Sequence, residues 1–195
     1  MTAEPIDPLR ETAVQRRSVY HGRLLHVFDD QVRLEDGRLT QRELVEHPGA
    51  VCIIATDDEG RIGMVRQWRH AAGCALWELP AGTRDHQGEP TAATASRELR
   101  EEMQASAEAW LYVGAWPLAP GYSSEVMHFF LARGIASWPG SSDPDEQLER
   151  AWFTPEEARQ RIREGSVDVK SIAGLALAGF SVALESQPVS VTVDG

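Results

Sequence analysis

Six consecutive apolar residues, AVCIIA at positions 50–55, constrain the fold of this chain more than any other segment. An uninterrupted apolar run of this length is typical of a strand that is buried on both faces. The turn residues Pro48-Gly49 precede the run. A second turn at 57–60 leads into residues 61–68, which we expect to form an antiparallel partner. A fold with layers on both sides of this strand is therefore expected.

The rest of the chain predicts strands and helices in mixed order. Short strands are expected between Val14 and His47, with an Asp-Gly hairpin turn at 35–38. Thr154 and Pro155 are typical of a helix start. The other expected elements are a helix at 91–104, strands near 110–116, 126–133 and 148–153, and helices at 155–164 and 169–184. This mixture indicates a layered fold of the α/β class.

Charge and composition exclude several kinds of partner. The 195 residues include 30 acidic and 19 basic side chains, a net charge of −11, so no nucleic-acid or membrane partner is expected. An anionic substrate would need a metal or a local cluster of arginines to reverse this field. Cys52 and Cys74 lack metal-ligand or redox spacing. Together with the absence of a secretory signal, they indicate a cytoplasmic protein.

The helix predicted at 91–104 concentrates negative charge beside its apolar stripe, which we expect to comprise Ala92, Ala95, Leu99 and Met103. Glu98, Glu101 and Glu102 are related as i, i+3 and i+4, so their carboxylates are neighbours and repel one another. A hard divalent cation among their oxygens would account for this arrangement. For the helix taken by itself, a solvated acidic surface is the alternative interpretation.

The segment from Gly82 to Ala105 resembles the Nudix box, G-x5-E-x7-R-E-U-x-E-E-x-G-U, where U is a bulky apolar residue. The matching positions are Glu89, Arg97, Glu98, Leu99, Glu101 and Glu102. Two departures stand out. Six residues instead of five separate Gly82 from Glu89, and Gln104 stands where the box has a glycine. The second departure affects the end of the helix, where glycine would supply a positive φ.

Further segments resemble the ADP-ribose pyrophosphatase branch of this superfamily. They are VEHPGA at 45–50, RQWRH at 66–70, WELPAG at 77–82, APGYSSE at 119–125 and DVKSIA at 168–173. The resemblance implies a Nudix α/β/α sandwich with a mixed sheet, preceded by an N-terminal antiparallel β arm. The implied division is a flexible lead-in at 1–13, a dimerisation arm at 14–48, the Nudix hydrolase domain at 49–186 and a tail at 187–195. A two-fold homodimer is therefore expected.

The activity implied by this branch is Mg²⁺-dependent hydrolysis of the pyrophosphate bond of ADP-ribose to AMP and ribose 5-phosphate, with Mn²⁺ as a substitute ion. The alternatives are hydrolysis of another nucleoside diphosphate sugar, such as GDP-mannose or a UDP-sugar, or of a dinucleotide. A third hypothesis is a non-catalytic nucleotide sensor. Such sensors usually have broken box carboxylates and an added DNA-binding domain, whereas the box carboxylates of this chain are all present.

The resemblance also implies roles for individual residues. Glu98, Glu102 and the backbone carbonyl of Ala81 would bind metal, and Glu101 would bind an adjacent ion and take part in catalysis. Gly82, Glu89 and Arg97 would be structural residues of the box, with Glu89 and Arg97 as a pair that braces the loop against the helix; a direct part in catalysis is the alternative for this pair.

A general base is expected in the acidic loop 142–146. Glu146 is the first choice, as base or further metal ligand, with Asp145 and Asp143 as alternatives; a merely solvated loop is the other interpretation. Arg69 would donate to phosphate. The residues implied to contact the terminal ribose or the phosphates are Ala119, Pro120, Gly121 and Glu125.

Overall fold

The computed structural model describes residues 7–84, 86, 88–140 and 147–184. Ten strands and three α-helices lie within these residues. The strands are β1 (Glu11–His21), β2 (His26–Leu34), β3 (Leu39–Glu46), β4 (Ala50–Ala55), β5 (Ile62–Arg69), β6 (Cys74–Glu78), β7 (Ala81–Thr83), β8 (Ala105–Pro117), β9 (Val126–Ser137) and β10 (Glu149–Phe153). The helices are α1 (Thr91–Met103), α2 (Pro155–Arg163) and α3 (Val169–Leu177).

Strand β4 is buried along its whole length, as the apolar run predicts. It lies inside a mixed sheet of order β7-β4-β9-β8, antiparallel to β7 and parallel to β9. Its alternate side chains enter two separate cores. Ala50, Cys52 and Ile54 share one core with Leu175 of α3. The other three side chains share the second core with Leu99 of α1. Helices therefore cover both faces of the strand.

The predicted pairing of residues 61–68 with β4 is wrong. The two segments are joined only at the isolated bridge between Thr56 and Ile62, beside the turn. Strand β5 instead lies between β10 and β6 in a second sheet. The sequence pattern identifies the strand but not its partners: Arg69 pairs with Cys74 of β6, and Arg66 pairs with Glu149 of β10.

Several element boundaries also differ from the prediction. Helix α3 ends at Leu177, seven residues early, because Gly179 adopts φ 85°. The N–H groups of Gly179 and Phe180 donate to the carbonyls of Ala176 and Leu175, both at 3.0 Å, which is the Schellman arrangement. Strands β6 and β7 were not predicted, and Ala92 is exposed instead of joining the core.

Helix α1 ends at Met103, directly before Gln104, the residue that stands at the glycine position of the box. Gln104 adopts the left-handed conformation with φ 51° and ψ 41°, and its N–H donates to the carbonyl of Arg100 at 3.1 Å. A residue with a Cβ pays a steric cost in this conformation, which glycine avoids. The chain therefore keeps the backbone turn of the box without its glycine.

The N-terminal strands form their own antiparallel sheet of order β1-β2-β3. Its hairpin turn contains Gly37 at φ 86°, as the Asp-Gly pair predicts. Strand β1 begins at Glu11, inside the segment expected to be a lead-in. Two backbone hydrogen bonds attach the sheet to the domain: Val45 N–H to Tyr122 carbonyl at 2.7 Å and Ser124 N–H to Val45 carbonyl at 3.0 Å. Within the described residues, no helix is both long and apolar enough to cross a membrane.

Candidate active site

The acidic face of α1 opens into a cleft of about 640 Å³ between the helix and the sheets. Glu98 and Glu102 are 8% and 4% exposed, whereas the Glu101 side chain is 40% exposed. Ala81, Gly82, Arg97, Arg69 and Glu125 line the same cleft as these three carboxylates. The structure therefore brings together eight of the residues that sequence analysis selected.

Gly82 is required by the position of Glu98. A Cβ added at Gly82 would overlap all three terminal atoms of the Glu98 carboxyl group, far inside the 3.4 Å at which ordinary contact begins. Only glycine allows the carboxylate to lie directly against the backbone of β7. The glycine of the box is thus a packing requirement at this position.

The turn that leads into Ala81 is held by three neighbouring elements. Ala81 N–H donates to Glu102 Oε2 at 2.9 Å, which connects it to α1. Leu79 N–H donates to Ser171 Oγ of α3 at 2.7 Å. Ile53 N–H of β4 donates to the Pro80 carbonyl at 2.8 Å. These bonds fix the position of Ala81 relative to the carboxylates.

Arg97 reduces the repulsion between the acids. Its Nη1 lies 2.8 Å from Glu98 Oε1 and 2.9 Å from Glu101 Oε2, and its Nη2 lies 3.6 Å from Glu89 Oε2. Burial lowers the pKa of Arg97, but the surrounding carboxylates outweigh this effect and raise the pKa overall. The predicted contact with Glu89 is present, and Thr94 Oγ1 also donates to Glu89 at 3.0 Å.

Two cations, Arg69 and Lys170, line the same cleft. Arg69 donates from Nε and Nη2 to the two carboxylate oxygens of Glu78, both at 2.6 Å. Lys170 also binds Glu78, and it lies 2.6 Å from Asp168 Oδ2. Burial would raise the pKa of Glu78, but the hydrogen bond from Arg69 and the charge of Lys170 keep the pKa below its usual value.

The comparisons with known proteins agree on one family. A family model of the NUDIX domain matches residues 46–173. The chain is 40% identical over 162 residues to the ADP-ribose pyrophosphatase of Mycobacterium tuberculosis (strain ATCC 25618 / H37Rv), covering 82% of this chain and 78% of that protein. This chain belongs to the Nudix family.

Two further comparisons extend the Nudix assignment. The ADP-ribose pyrophosphatase of Bacillus subtilis (strain 168) is 32% identical over 182 residues, covering 92% of this chain and 98% of that protein. A crystal structure of an ADP compounds hydrolase superposes with a TM-score of 0.76 at 20% identity, covering 89% of this chain and 95% of that one. The predicted family, hydrolase class and α/β fold are confirmed.

The oxygen donors of the Nudix helix suit a hard divalent cation. Glu98, Glu101 and Glu102 line one cleft with Ala81, and the absence of a Cβ at Gly82 leaves room for the carboxylate of Glu98. In the described part of the chain, no group of three or more His, Cys, Asp or Glu side chains is arranged to hold a metal ion. Arg97 contacts two of the three carboxylates, so these contacts must change when a cation binds.

Arg150, which no sequence pattern singled out, attaches the Nudix helix to β10. Its Nε donates to the Glu102 carbonyl and its Nη2 to the Glu101 carbonyl at 3.3 Å. Cations are favourable at helix C-termini because the last carbonyls lack partners within the helix. Arg150 therefore positions the end of α1 that carries two of the box acids.

No role was predicted either for Lys170, which lines the Nudix cleft, or for Glu78, the buried acid that it binds. One signal was available: Glu78 is an acid within an otherwise apolar segment, WELPAG, and such a residue needs a buried partner. Its partner Lys170 is 92 residues away. No local pattern connects the two.

The predicted ribose contacts are only partly assembled. Glu125 lines both the cleft and a neighbouring groove of about 490 Å³, and Ala119 lines the groove. Pro120 and Gly121 are exposed and line neither cavity. The candidate bases Glu146, Asp145 and Asp143 lie outside the described residues.

Proposed function

We propose that this Nudix protein hydrolyses the pyrophosphate bond of ADP-ribose to AMP and ribose 5-phosphate, using Mg²⁺, with Mn²⁺ as a substitute. The observation that carries the proposal is the cleft itself, which is lined by the box carboxylates of α1 together with Arg69 and Lys170. Two relatives that match most of this chain are named ADP-ribose pyrophosphatases. A diphosphate needs both cation ligands on one side and hydrogen-bond donors on the other.

In this proposal Glu98, Glu102 and the Ala81 carbonyl hold the divalent cation, and Glu101 holds an adjacent one. When bound, such cations neutralise phosphate charge and lower the pKa of a coordinated water. Gly82 leaves the space for Glu98, and Arg97 holds the carboxylates of Glu98 and Glu101 close together. Glu146 takes the proton from the attacking water, with Asp145 and Asp143 as the alternatives.

The substrate would extend along the cleft into the groove beside it. Arg69 donates to a phosphate from the edge of its guanidinium that faces away from Glu78. Of the predicted loop residues, Ala119 and Glu125 line the groove and contact the terminal ribose, and Glu125 accepts from its hydroxyls. The backbone bonds between Val45 and residues 122 and 124 hold this loop against the N-terminal sheet.

We also infer a two-fold homodimer built through that sheet. Every residue of β1 is exposed in the single chain, including Val14, Val19 and Tyr20, at 46%, 55% and 59%. Exposed apolar side chains along a strand are typical of a surface that another chain covers. We place the protein in the cytoplasm, because Cys52 and Cys74 are both free thiols.

The test is a panel of nucleoside diphosphate compounds assayed with Mg²⁺ and with Mn²⁺, with products separated by chromatography. ADP-ribose should be cleaved best, and a chelator should abolish the reaction until Mg²⁺ is restored. If GDP-mannose, a UDP-sugar or a dinucleotide is cleaved faster than ADP-ribose, that compound is the preferred substrate instead. Binding of nucleotides without any cleavage would support a sensor instead.

Glu102→Gln tests the metal role. The amide keeps an oxygen that can accept from Ala81 N–H, so the turn should persist while the ligand charge is lost. Turnover should fall by about 100-fold or more with little change in thermal stability. The matched control is Glu156→Gln on α2, where an exposed glutamate binds Arg159 and Arg163. Equal turnover in Glu102→Gln and wild type would contradict the metal role.

A further inference from the structure

Lys170 is the only lysine in a chain that has eighteen arginines. Its side chain is 10% exposed, and it lies between the carboxylates of Glu78 and Asp168. An ammonium group is a compact point charge with three rotatable donors, whereas a guanidinium is a wide planar fork. The one position that uses lysine is thus a confined, charged position at the cleft.

Neither carboxylate beside Lys170 has the lysine as its sole hydrogen-bond partner. Glu78 already forms a bidentate pair with Arg69, and Asp168 caps α3 by accepting from Ser171 N–H at 3.2 Å. Among the described residues, the hydrogen bonds of Lys170 go to these two carboxylates, so they use two of its three N–H donors. The third donor is available to a ligand.

Lys170 also lies where the two cavities meet. It lines the cleft that contains the box carboxylates, and it lines the neighbouring groove that contains Ala119 and Glu125. Glu78, its main partner, is 3% exposed as a side chain and lines neither cavity. Lys170 therefore lines the ligand space while the carboxylate of Glu78 does not, and Asp168 lines the groove beside it.

We propose that Lys170 binds the phosphate that leaves with the second half of the substrate, the sugar phosphate. This inference rests on the proposed function, because it assigns one phosphate of a cleaved diphosphate to the groove side. The phosphate must lie between the box acids, where the bond is cleaved, and the loop at 119–125, where the sugar is held. Lys170 occupies that boundary, and Arg69 lies on the cleft side of it.

The burial of Lys170 fits a binding role at neutral pH. Burial lowers its pKa, but the charges of Asp168 and Glu78 outweigh this effect and raise the pKa above the usual value. The group is therefore protonated at neutral pH. A charge-assisted hydrogen bond to phosphate in a confined site is among the stronger single contacts that a side chain can offer.

The single lysine makes a direct test feasible. Protein labelled with ¹³C only at the lysine ε-carbon gives one side-chain resonance, which we would follow in the wild-type chain with Mg²⁺ present. Ribose 5-phosphate, and ADP-ribose with its bridging oxygen replaced by methylene, should both shift this resonance, whereas AMP should leave it nearly unchanged. No shift when fluorescence shows the analogue to be bound, or an equal shift with AMP alone, would overturn the proposal.

Variants provide the second measurement. Lys170→Met should raise the inhibition constant of ribose 5-phosphate by about tenfold or more while that of AMP stays within twofold. Lys170→Arg, which keeps the charge, should recover part of the affinity. The control is Arg66→Met on β5, an exposed cation that pairs with Glu149. If Lys170 were only structural, both inhibition constants would stay the same and only the melting temperature would fall.

The two proposals fail in different ways. If the wild-type chain does not cleave ADP-ribose, the proposed function is wrong whatever the lysine resonance does. If the wild type cleaves ADP-ribose but its lysine resonance does not shift when the analogue binds, only the assignment of Lys170 is wrong. If Lys170→Met does not fold, the lysine resonance of the wild-type chain still tests whether Lys170 binds the phosphate.

Discussion

Replacing Gly82 with alanine tests whether packing against the backbone sets the position of Glu98. The new Cβ would overlap the Glu98 carboxyl group, which must retreat by about 1 Å or more to reach the 3.4 Å of ordinary contact. A misplacement of about 1 Å at a reacting centre can reduce a rate by about 100-fold. Overpacking at a buried site costs about 1–3 kcal/mol. We therefore expect kcat/KM for ADP-ribose to fall by about 100-fold and the affinity for Mg²⁺ to weaken.

A double-mutant cycle separates this mechanism from general damage. Unfolding free energies would be measured by denaturant titration for Gly82→Ala, Glu98→Ala and the double variant. Because the overlap is with the Glu98 side chain, Gly82→Ala should cost much less when residue 98 is alanine. Kinetics with increasing Mg²⁺ would be measured in parallel. The reasoning is refuted if Gly82→Ala keeps more than a third of wild-type kcat/KM, or if its stability cost is the same in both backgrounds.

Three further predictions concern stability and reactivity. Gln104→Gly should raise the free energy of unfolding by about 1 kcal/mol because it removes a left-handed residue with a Cβ; an unchanged or lower denaturation midpoint would contradict this. Glu78→Gln should destabilise the fold by about 3 kcal/mol at pH 7. Because the pKa of Glu78 is lowered by folding, that difference should shrink as the pH falls below the ordinary glutamate value of 4.5, and denaturation at several pH values checks it. Burial raises the pKa of Cys52 to about 12, so a thiol reagent should label the exposed Cys74 alone in the native protein and both cysteines after unfolding.

Local patterns explain what could be predicted from the sequence. The acids of α1 are three and four residues apart, so helical geometry alone places them side by side. The β4 strand was predicted because burial on both faces removes the usual alternation of polar residues. The left-handed Gln104 follows from its box position, and the structure confirms it. Each of these features depends on residues that are close in sequence.

The errors come from contacts between distant parts of the chain. Strand β5 was recognised, but its pairing with β6 and β10 depends on which strand edges are left open by the rest of the fold. The end of α3 was missed because the apolar pattern continues past Gly179, whose left-handed conformation stops the helix. Arg150 was missed because its role is to bind backbone carbonyls 48 and 49 residues away. The pattern of side chains along the sequence does not indicate hydrogen bonds to distant backbone carbonyls.

The charge arrangement explains how a chain with a net charge of −11 can bind an anion. The net negative charge repels a diphosphate at long range, but salt screens this repulsion at distances beyond about 10 Å. Inside the cleft, the distances are far shorter. Arg97 offsets Glu98 and Glu101, and Arg69 and Lys170 line the cleft while their shared counter-ion Glu78 is buried. A bound cation would remove the remaining negative charge of the box. Ionic strength should therefore change the association rate of the substrate more than its affinity, because association responds to the whole surface and binding to these few groups.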